Sequence, residues 1–349
     1  VVDQLAQMLM EVRIVDVHSL VMCDANACWR SHPEEWQPIV DEWSKLFRVS
    51  LQKHSWVQYG GCRVEGLTVT DRIDEGNEKE VRLLVTVPHA HEPAGTAVCV
   101  DFACQLLTGH HLDGSESKLP ISEILERALI TLLPDTNSQG RAKSPVKCWD
   151  GTKFDNESFL KVAFGIASDG SRFGRYPEWR YSEHKPKSAG IIYEQIDDDT
   201  FVEPNTSKKS THSFAIDVCF YAFHYTHYLE LHQHEVDEAV LLPSNYDELS
   251  LSEKEELNKW SEAILEAWKE IGATPTPQPF VPYAGQQRQQ FLKAFWDGRD
   301  AKKMKRLSIE VRNNRHAKTG APTPLEHLFK MALCALTVSV LHLLGIKLP

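Results

Sequence analysis

The sequence predicts an α/β fold: a single domain with a mixed, mostly parallel, twisted β-sheet and helices on both faces. Three observations predict it. The run at 81–87 is strongly β-branched and that at 128–134 is short and mostly apolar, as strands buried on both faces are. Segments with helical apolar spacing alternate with them, and strands alternating with helices build a sheet covered on both sides. The length of 349 residues suits one large domain, and no Pro/Ser/Gly linker, internal repeat or low-complexity tract divides 1–349.

In chain order, residues 1–50 read as an N-terminal helical segment. Its start, "VVDQLAQMLMEVR", lacks the uninterrupted apolar core of a signal peptide, and a cytoplasmic location is expected. "HPEEWQPIVDEWSKLF" predicts a helix over 33–47, with carboxylates in the first turn and Pro38 marking a kink or a late start. "RVEGLTVTDR", 63–72, is a turn followed by a strand. The buried strand at 81–87 leads through "PHAHE" into a helix over 94–107 that Pro93 opens. A helix over 120–127 precedes the second buried strand. Residues 135–210, rich in Gly, Pro, Ser and charge, are expected to form a loop-rich cleft region. "YLELH", 228–232, alternates with period two, and 236–242 is a candidate strand. Helices follow over 252–271 and 287–296, then a short strand "LSIEV" at 307–311 and a closing helix over 322–344. The run "MALCALTVSVLHLLGIKLP" is interrupted by His342 and follows Lys330, so a buried helix is expected rather than a membrane span.

The net charge of −11 argues against polyanionic partners, which need clustered Lys and Arg. The one dense basic stretch, "AKKMKR" at 301–306, reads as a solvated approach to a strand. Neither nucleic acid nor an acidic membrane surface is an expected partner. None of the eight cysteines forms C-x-x-C. Cys23/Cys28 and Cys99/Cys104 are five apart, a spacing that on a helix points side chains to different faces. Buried free thiols in a reducing compartment are expected.

His-x-x-Glu occurs four times, at His32/Glu35, His89/Glu92, His227/Glu230 and His232/Glu235, so the spacing alone decides nothing. Only His89/Glu92 follows a strand into a helix, the place where open α/β sheets bind ligands. Two ligands for a zinc ion are on offer there, and catalytic zinc needs a third from elsewhere with one position left for water. His232 is the expected third ligand. It ends an alternating strand that puts Tyr228, Glu230 and His232 on one face and Leu229 and Leu231 on the other. His91 could ligate in place of His89. His234 and Glu235 read as polar residues of the cleft wall, and "DVHS" at 16–19 as structural. Glu310 is a lone carboxylate between Ile309 and Val311. It is either a general base whose pKa is raised by burial or the partner of Arg312 or Arg306 in an ion pair.

"PHAHEPAG", "YLELHQHE" and "LSIEV", in that order, resemble the zinc carboxypeptidases, the carboxypeptidase A-like metallocarboxypeptidases. "YGGCRVEGLTV" resembles that family's G-x-S-x-E-G approach to the site, and "LPDTNSQGR" its N-P-D-G segment, so the resemblance runs from about Trp36 to about Leu344. It implies one Zn²⁺ held by His89, Glu92 and His232, a metal that polarises the scissile carbonyl, Glu310 as the base that moves the proton to the leaving amine, and Arg141 as the nearest candidate for oxyanion stabilisation. The expected activity is that of a carboxypeptidase-type metallopeptidase acting on a peptide C-terminus. A deacylase of a small N-acyl amino acid and a non-catalytic binding protein are the alternatives on the same fold. The sequence departs from the pattern at Cys62, where the motif has Ser, and at Asn137–Gly140. It also has no clean match to the Asn-Arg pair that grips a substrate carboxylate, with Arg172, Arg175 and Arg180 as loose candidates.

Overall fold

The computed structural model describes residues 16–299 and 304–347. The opening "VVDQLAQMLMEVR" and part of the basic stretch at 301–306 lie outside the described residues.

Seven strands form the central sheet: β1 (Leu51–Val57), β2 (Arg63–Val69), β3 (Val81–Thr86), β4 (Ala128–Leu133), β5 (His227–His234), β6 (Ala239–Leu241) and β7 (Lys305–Arg312). Their spatial order is β1-β2-β4-β3-β5-β7-β6. The neighbours β4, β3, β5 and β7 are mutually parallel. Antiparallel β2 and β6 flank them, and β1 turns back beside β2 in the common direction. This is the mixed, mostly parallel sheet that the sequence predicts; two small sheets of two and three strands lie apart from it, within 165–202.

Alternation along each strand sorts the core. Leu83, Val85, Leu229, Leu231, Leu307 and Ile309 join one apolar cluster. Helices α1 (Pro33–Leu46), α2 (Pro93–Thr108), α4 (Leu251–Glu270) and α5 (Leu325–Leu343) contribute to it. Leu84, Leu129, Leu133 and Tyr228 enter a second cluster with α3 (Thr211–Ala222) and Phe295. Helices therefore cover both faces. By length and composition α5 could cross a membrane, yet 72% of its most apolar window is buried. Trp268 donates its indole N–H to Met331 O at 2.8 Å, and Trp260 donates to Ser339 Oγ at 2.9 Å, so α5 is a core helix.

The structure differs from the sequence-based expectation at several elements. Pro38 does not delay α1, which starts at Pro33 and continues through it to Leu46. Strand β1 was not expected: it is an edge strand whose middle residues, Gln52 to Ser55, are polar and partly exposed. Helix α3 was missed because its apolar residues go round the helix, leaving Phe214 and Tyr221 exposed while Ile216 and Cys219 are buried.

The chain leaves β3 through α2 and enters β4 on one side, whereas β5 lies on the other side of β3. Strand order reverses there, and the crevice beyond the carboxyl ends of β3 and β5 is the topological place for a ligand.

Candidate metal centre

The crevice holds a cavity of about 340 Å³. His89 and Glu92 reach it from the turn after β3, His232 from the end of β5, and Glu310 from β7. Glu92 is the N-cap of α2 and Pro93 its first residue, a position where the missing N–H costs nothing. The next free helix donor, Ala94 N, is satisfied by Gln233 Oε1 at 2.7 Å. Because Gln233 follows His232 on β5, this bond ties the turn to the strand that carries the second imidazole.

The two imidazoles and the carboxylate converge. His89 Nδ1 lies 2.9 Å from Glu92 Oε1, and His232 Nδ1 lies 2.7 Å from Glu92 Oε2. The two Nδ1 atoms stand 3.2 Å apart. Two nitrogens bound to one tetrahedral zinc stand about 3.3 Å apart, given bonds of about 2.05 Å. Outer partners occupy the far side of each ring. His89 Nε2 lies 3.1 Å from Asn205 Oδ1 and 3.6 Å from Glu203 Oε1. His232 Nε2 lies 2.8 Å from Glu230 Oε2. Acceptors at Nε2 favour the tautomer with its proton there, which leaves the Nδ1 lone pair for a cation. The donor set and its spacing fit a zinc ion.

Burial opposes charge on His89 and His232, but the surrounding carboxylates outweigh it and raise both pKa values. Burial also opposes charge on Glu92, and the three histidines around it outweigh that and hold its carboxyl well below the usual range. His91 differs. Burial pushes it down to about 4, its Nε2 lies 3.2 Å from Glu92 Oε1, and its Nδ1 has no partner. One donor atom each from His89, His91 and Glu92 lie within 4.8 Å of one another, so His91 is also placed to reach a cation.

Glu310 is the register partner of His232 on the neighbouring parallel strand. Its Oε2 is buried without a hydrogen-bond partner, with His234 Nδ1 at 3.9 Å, and burial raises its pKa. Among the described residues no ion pair joins it to Arg312 or Arg306. Glu235 also lines the cavity, and burial, Glu310 and Glu92 push it up to about 7.

Arg141 does not line the cavity. It is buried behind the metal turn, where its Nη2 donates to His89 O and Thr96 Oγ1, both at 3.2 Å. Offered by the resemblance for the oxyanion, it is instead buried and engaged with the backbone and α2 beside His89. Of the three loosely placed arginines, Arg172 and Arg175 line the cavity and Arg180 does not. Sequence reasoning missed Arg288, which also lines it. Arg288 makes a two-pronged pair with Glu203 at 2.7 and 2.9 Å, and Arg175 joins the same carboxylate at 2.5 Å. Glu203 and Asn205, in the loop-rich region 135–210, are buried beside His89. The loop-rich region 135–210 thus supplies part of the cavity wall. The period-two pattern already put Glu230 beside His232, and that was the one available signal for its role.

No protein-family model matches the sequence, and no curated protein is detectably similar to it. Solved structures do match. A metallo-carboxypeptidase from Burkholderia cenocepacia superposes with a TM-score of 0.54 at 11% identity, over 88% of this chain and 68% of that one. Carboxypeptidase A from Helicoverpa armigera gives 0.53 at 12%, over 97% and 81%. Bovine thrombin-activatable fibrinolysis inhibitor, solved with tick carboxypeptidase inhibitor, gives 0.52 at 13%, over 92% and 99%. The chain therefore has the fold of the metallo-carboxypeptidases.

Proposed function

We propose that the protein is a zinc-dependent amide hydrolase of carboxypeptidase type, with His89, Glu92 and His232 as the ligands of one Zn²⁺. The observation that carries this reading is the pair of Nδ1 atoms 3.2 Å apart, both directed at Glu92, with both Nε2 atoms committed to outer acceptors. His232 is a better third ligand than His91, because Glu230 holds its Nε2 and its Nδ1 meets both Glu92 and His89 Nδ1, whereas His91 turns its Nε2 to Glu92 and its Nδ1 meets no partner. When bound, the metal supplies Lewis acidity for the scissile carbonyl and for water. Glu310, raised in pKa and unpartnered, takes a proton from the attacking water and delivers it to the leaving amine. Arg172 has no ion-pair partner among the described residues. It faces the cavity and is suited to a substrate carboxylate, whereas Arg175 beside it is engaged by Glu203. Arg141 holds the His89 carbonyl and acts through the turn.

The volume of about 340 Å³ lies at the low end for small-molecule sites, which favours a deacylase of small N-acyl amino acids as the second reading. Metal analysis combined with hydrolysis assays tests the proposal. The purified protein is expected to carry zinc and to cleave a C-terminal residue or an N-acyl amino acid, and a chelator is expected to abolish cleavage. Full cleavage by metal-free protein would overturn it. A panel of peptides against N-acyl amino acids separates the two substrate classes.

A further inference from the structure

A second cluster of metal-competent side chains lies away from the cavity. Cys23 sits in the bend before the short helix Ala25–Cys28, and Cys28 is that helix's last residue. The rule for two cysteines five apart on one helix therefore does not apply, and the two sulfurs come together instead of diverging. His111, in the turn that follows α2, joins them. One donor atom from each of Cys23, Cys28 and His111 lie within 4.8 Å of one another.

The surroundings are those of a built site. Cys28 and His111 are buried, and Cys23 is only partly covered, which leaves a way in. His111 Nδ1 lies 2.8 Å from Asp101 Oδ2, so the ring's Nε2 is the nitrogen left for a ligand role. Asp101 is fully buried on α2 and is itself held: Oδ1 accepts from Leu112 N at 2.9 Å and Oδ2 accepts from Gln105 Nε2 at 3.0 Å. A carboxylate that orients a histidine from behind is the usual support of a metal-binding imidazole. The backbone around the cysteines is pinned too, because Asp24 N donates to Asp113 Oδ2 at 2.7 Å.

We propose that Cys23, Cys28 and His111 form a second cation site that takes zinc or a chemically similar thiolate-binding divalent cation. Two thiolates and one imidazole suit such a cation and not Mg²⁺ or Ca²⁺, which take oxygen ligands. Binding ionises both thiols, the released protons go to solvent, and water fills the fourth position beside the partly exposed Cys23. The site joins the segment Val17–Cys28 to the turn 109–117, far along the chain. Glu92 caps the start of α2 and His111 follows its end, so the two cation sites lie at opposite ends of a 16-residue helix, about 24 Å long. This inference stands apart from the proposed hydrolase activity and is tested without it.

The full-length protein, stripped of metal and reduced, is titrated with Co²⁺ and Zn²⁺. A site with thiolate ligands gives a sulfur-to-cobalt charge-transfer band in the near ultraviolet, and a His/Glu site does not. The expected result is two equivalents of bound metal with that band present. It persists in His89→Ala and is lost in Cys28→Ser. Asp101→Asn is expected to weaken metal binding at this site roughly 10–100-fold. If Cys28→Ser does not fold, protection of two wild-type thiols from alkylation by Zn²⁺ gives the same answer. A single equivalent without the band overturns the proposal. So does a Cys23–Cys28 disulfide in protein isolated under thiol-blocking conditions, seen as a mass lower by two hydrogens, if reduction then restores no metal binding.

Discussion

Glu230 Oε2 accepts from His232 Nε2 at 2.8 Å, two residues along the same face of one strand. The same carboxylate takes the Tyr228 hydroxyl at 2.7 Å on Oε1 and has His212 Nε2 at 3.4 Å. A pleated strand brings residues i and i+2 side by side, so the local sequence Glu-Leu-His sets the proposed metal ligand beside its support.

Removing the charge from that support while keeping its shape is the direct test. Glu230→Gln is expected to weaken zinc binding at the catalytic site by roughly 10–100-fold. Competition with a chromophoric chelator measures it. Unchanged affinity would mean that the His232 tautomer is fixed some other way.

Glu310→Gln separates the proposed base from the proposed ligands. The substitution leaves His89, Glu92 and His232 untouched, so metal content is expected to stay at the wild-type level. Hydrolysis is expected to fall by about 10²–10⁴-fold, the share a positioned base contributes. A variant that loses metal along with activity would place Glu310 among the ligands.

Arg141 is expected to act on stability and on the metal turn. Its guanidinium holds the His89 carbonyl, and its charge offsets that of Asp135, which is buried with one carboxylate oxygen unpartnered. Arg141→Ala removes buried hydrogen bonds to the His89 carbonyl and Thr96 Oγ1, at a cost of about 1–3 kcal/mol. Denaturant unfolding and zinc affinity should both fall. A variant with full stability and metal content, but turnover down about a hundredfold, would instead support a direct role on the oxyanion.

The parts of this molecule legible in the sequence are those set by local pattern. β3, β4 and the pair β5 and β7 announce themselves by apolar, β-branched runs and by alternation, and β3, β5 and β7 deliver His89, His232 and Glu310 to the cavity. What stayed hidden depends on contacts distant in sequence. Glu203 looks like one more acid in a polar loop until folding sets it behind His89 and between two arginines. Arg141 follows a strand, as a cleft residue does, but chain direction past a strand end is decided by packing. Cys23 and Cys28 were read with helical geometry, and one of them precedes the helix.

His227 links burial to acid sensitivity. It opens β5, 9% exposed, with its ring edge-on to Trp260 at 5.7 Å and its Nδ1 2.8 Å from Thr226 Oγ1. Burial, then the nearby positive charges of Lys305, His342 and Arg82, push its pKa down to about 3. In the unfolded chain an imidazole titrates near about 6.5. Between those two values the unfolded chain binds a proton that the folded protein refuses, so stability rises with pH across the window. The contribution is therefore fully present above about pH 6.5 and drains away as pH falls towards 3. From pH 7.5 to pH 5 it amounts to about 2 kcal/mol, from the difference in proton binding alone. Carboxylates titrate in the lower part of the same window, so the comparison has to be between variants. Urea unfolding at pH 7.5 and pH 5 should show wild type losing about 2 kcal/mol more than His227→Gln. Equal losses in the two proteins would mean that the folded state accommodates the imidazolium, with Thr226 and solvent sharing its charge.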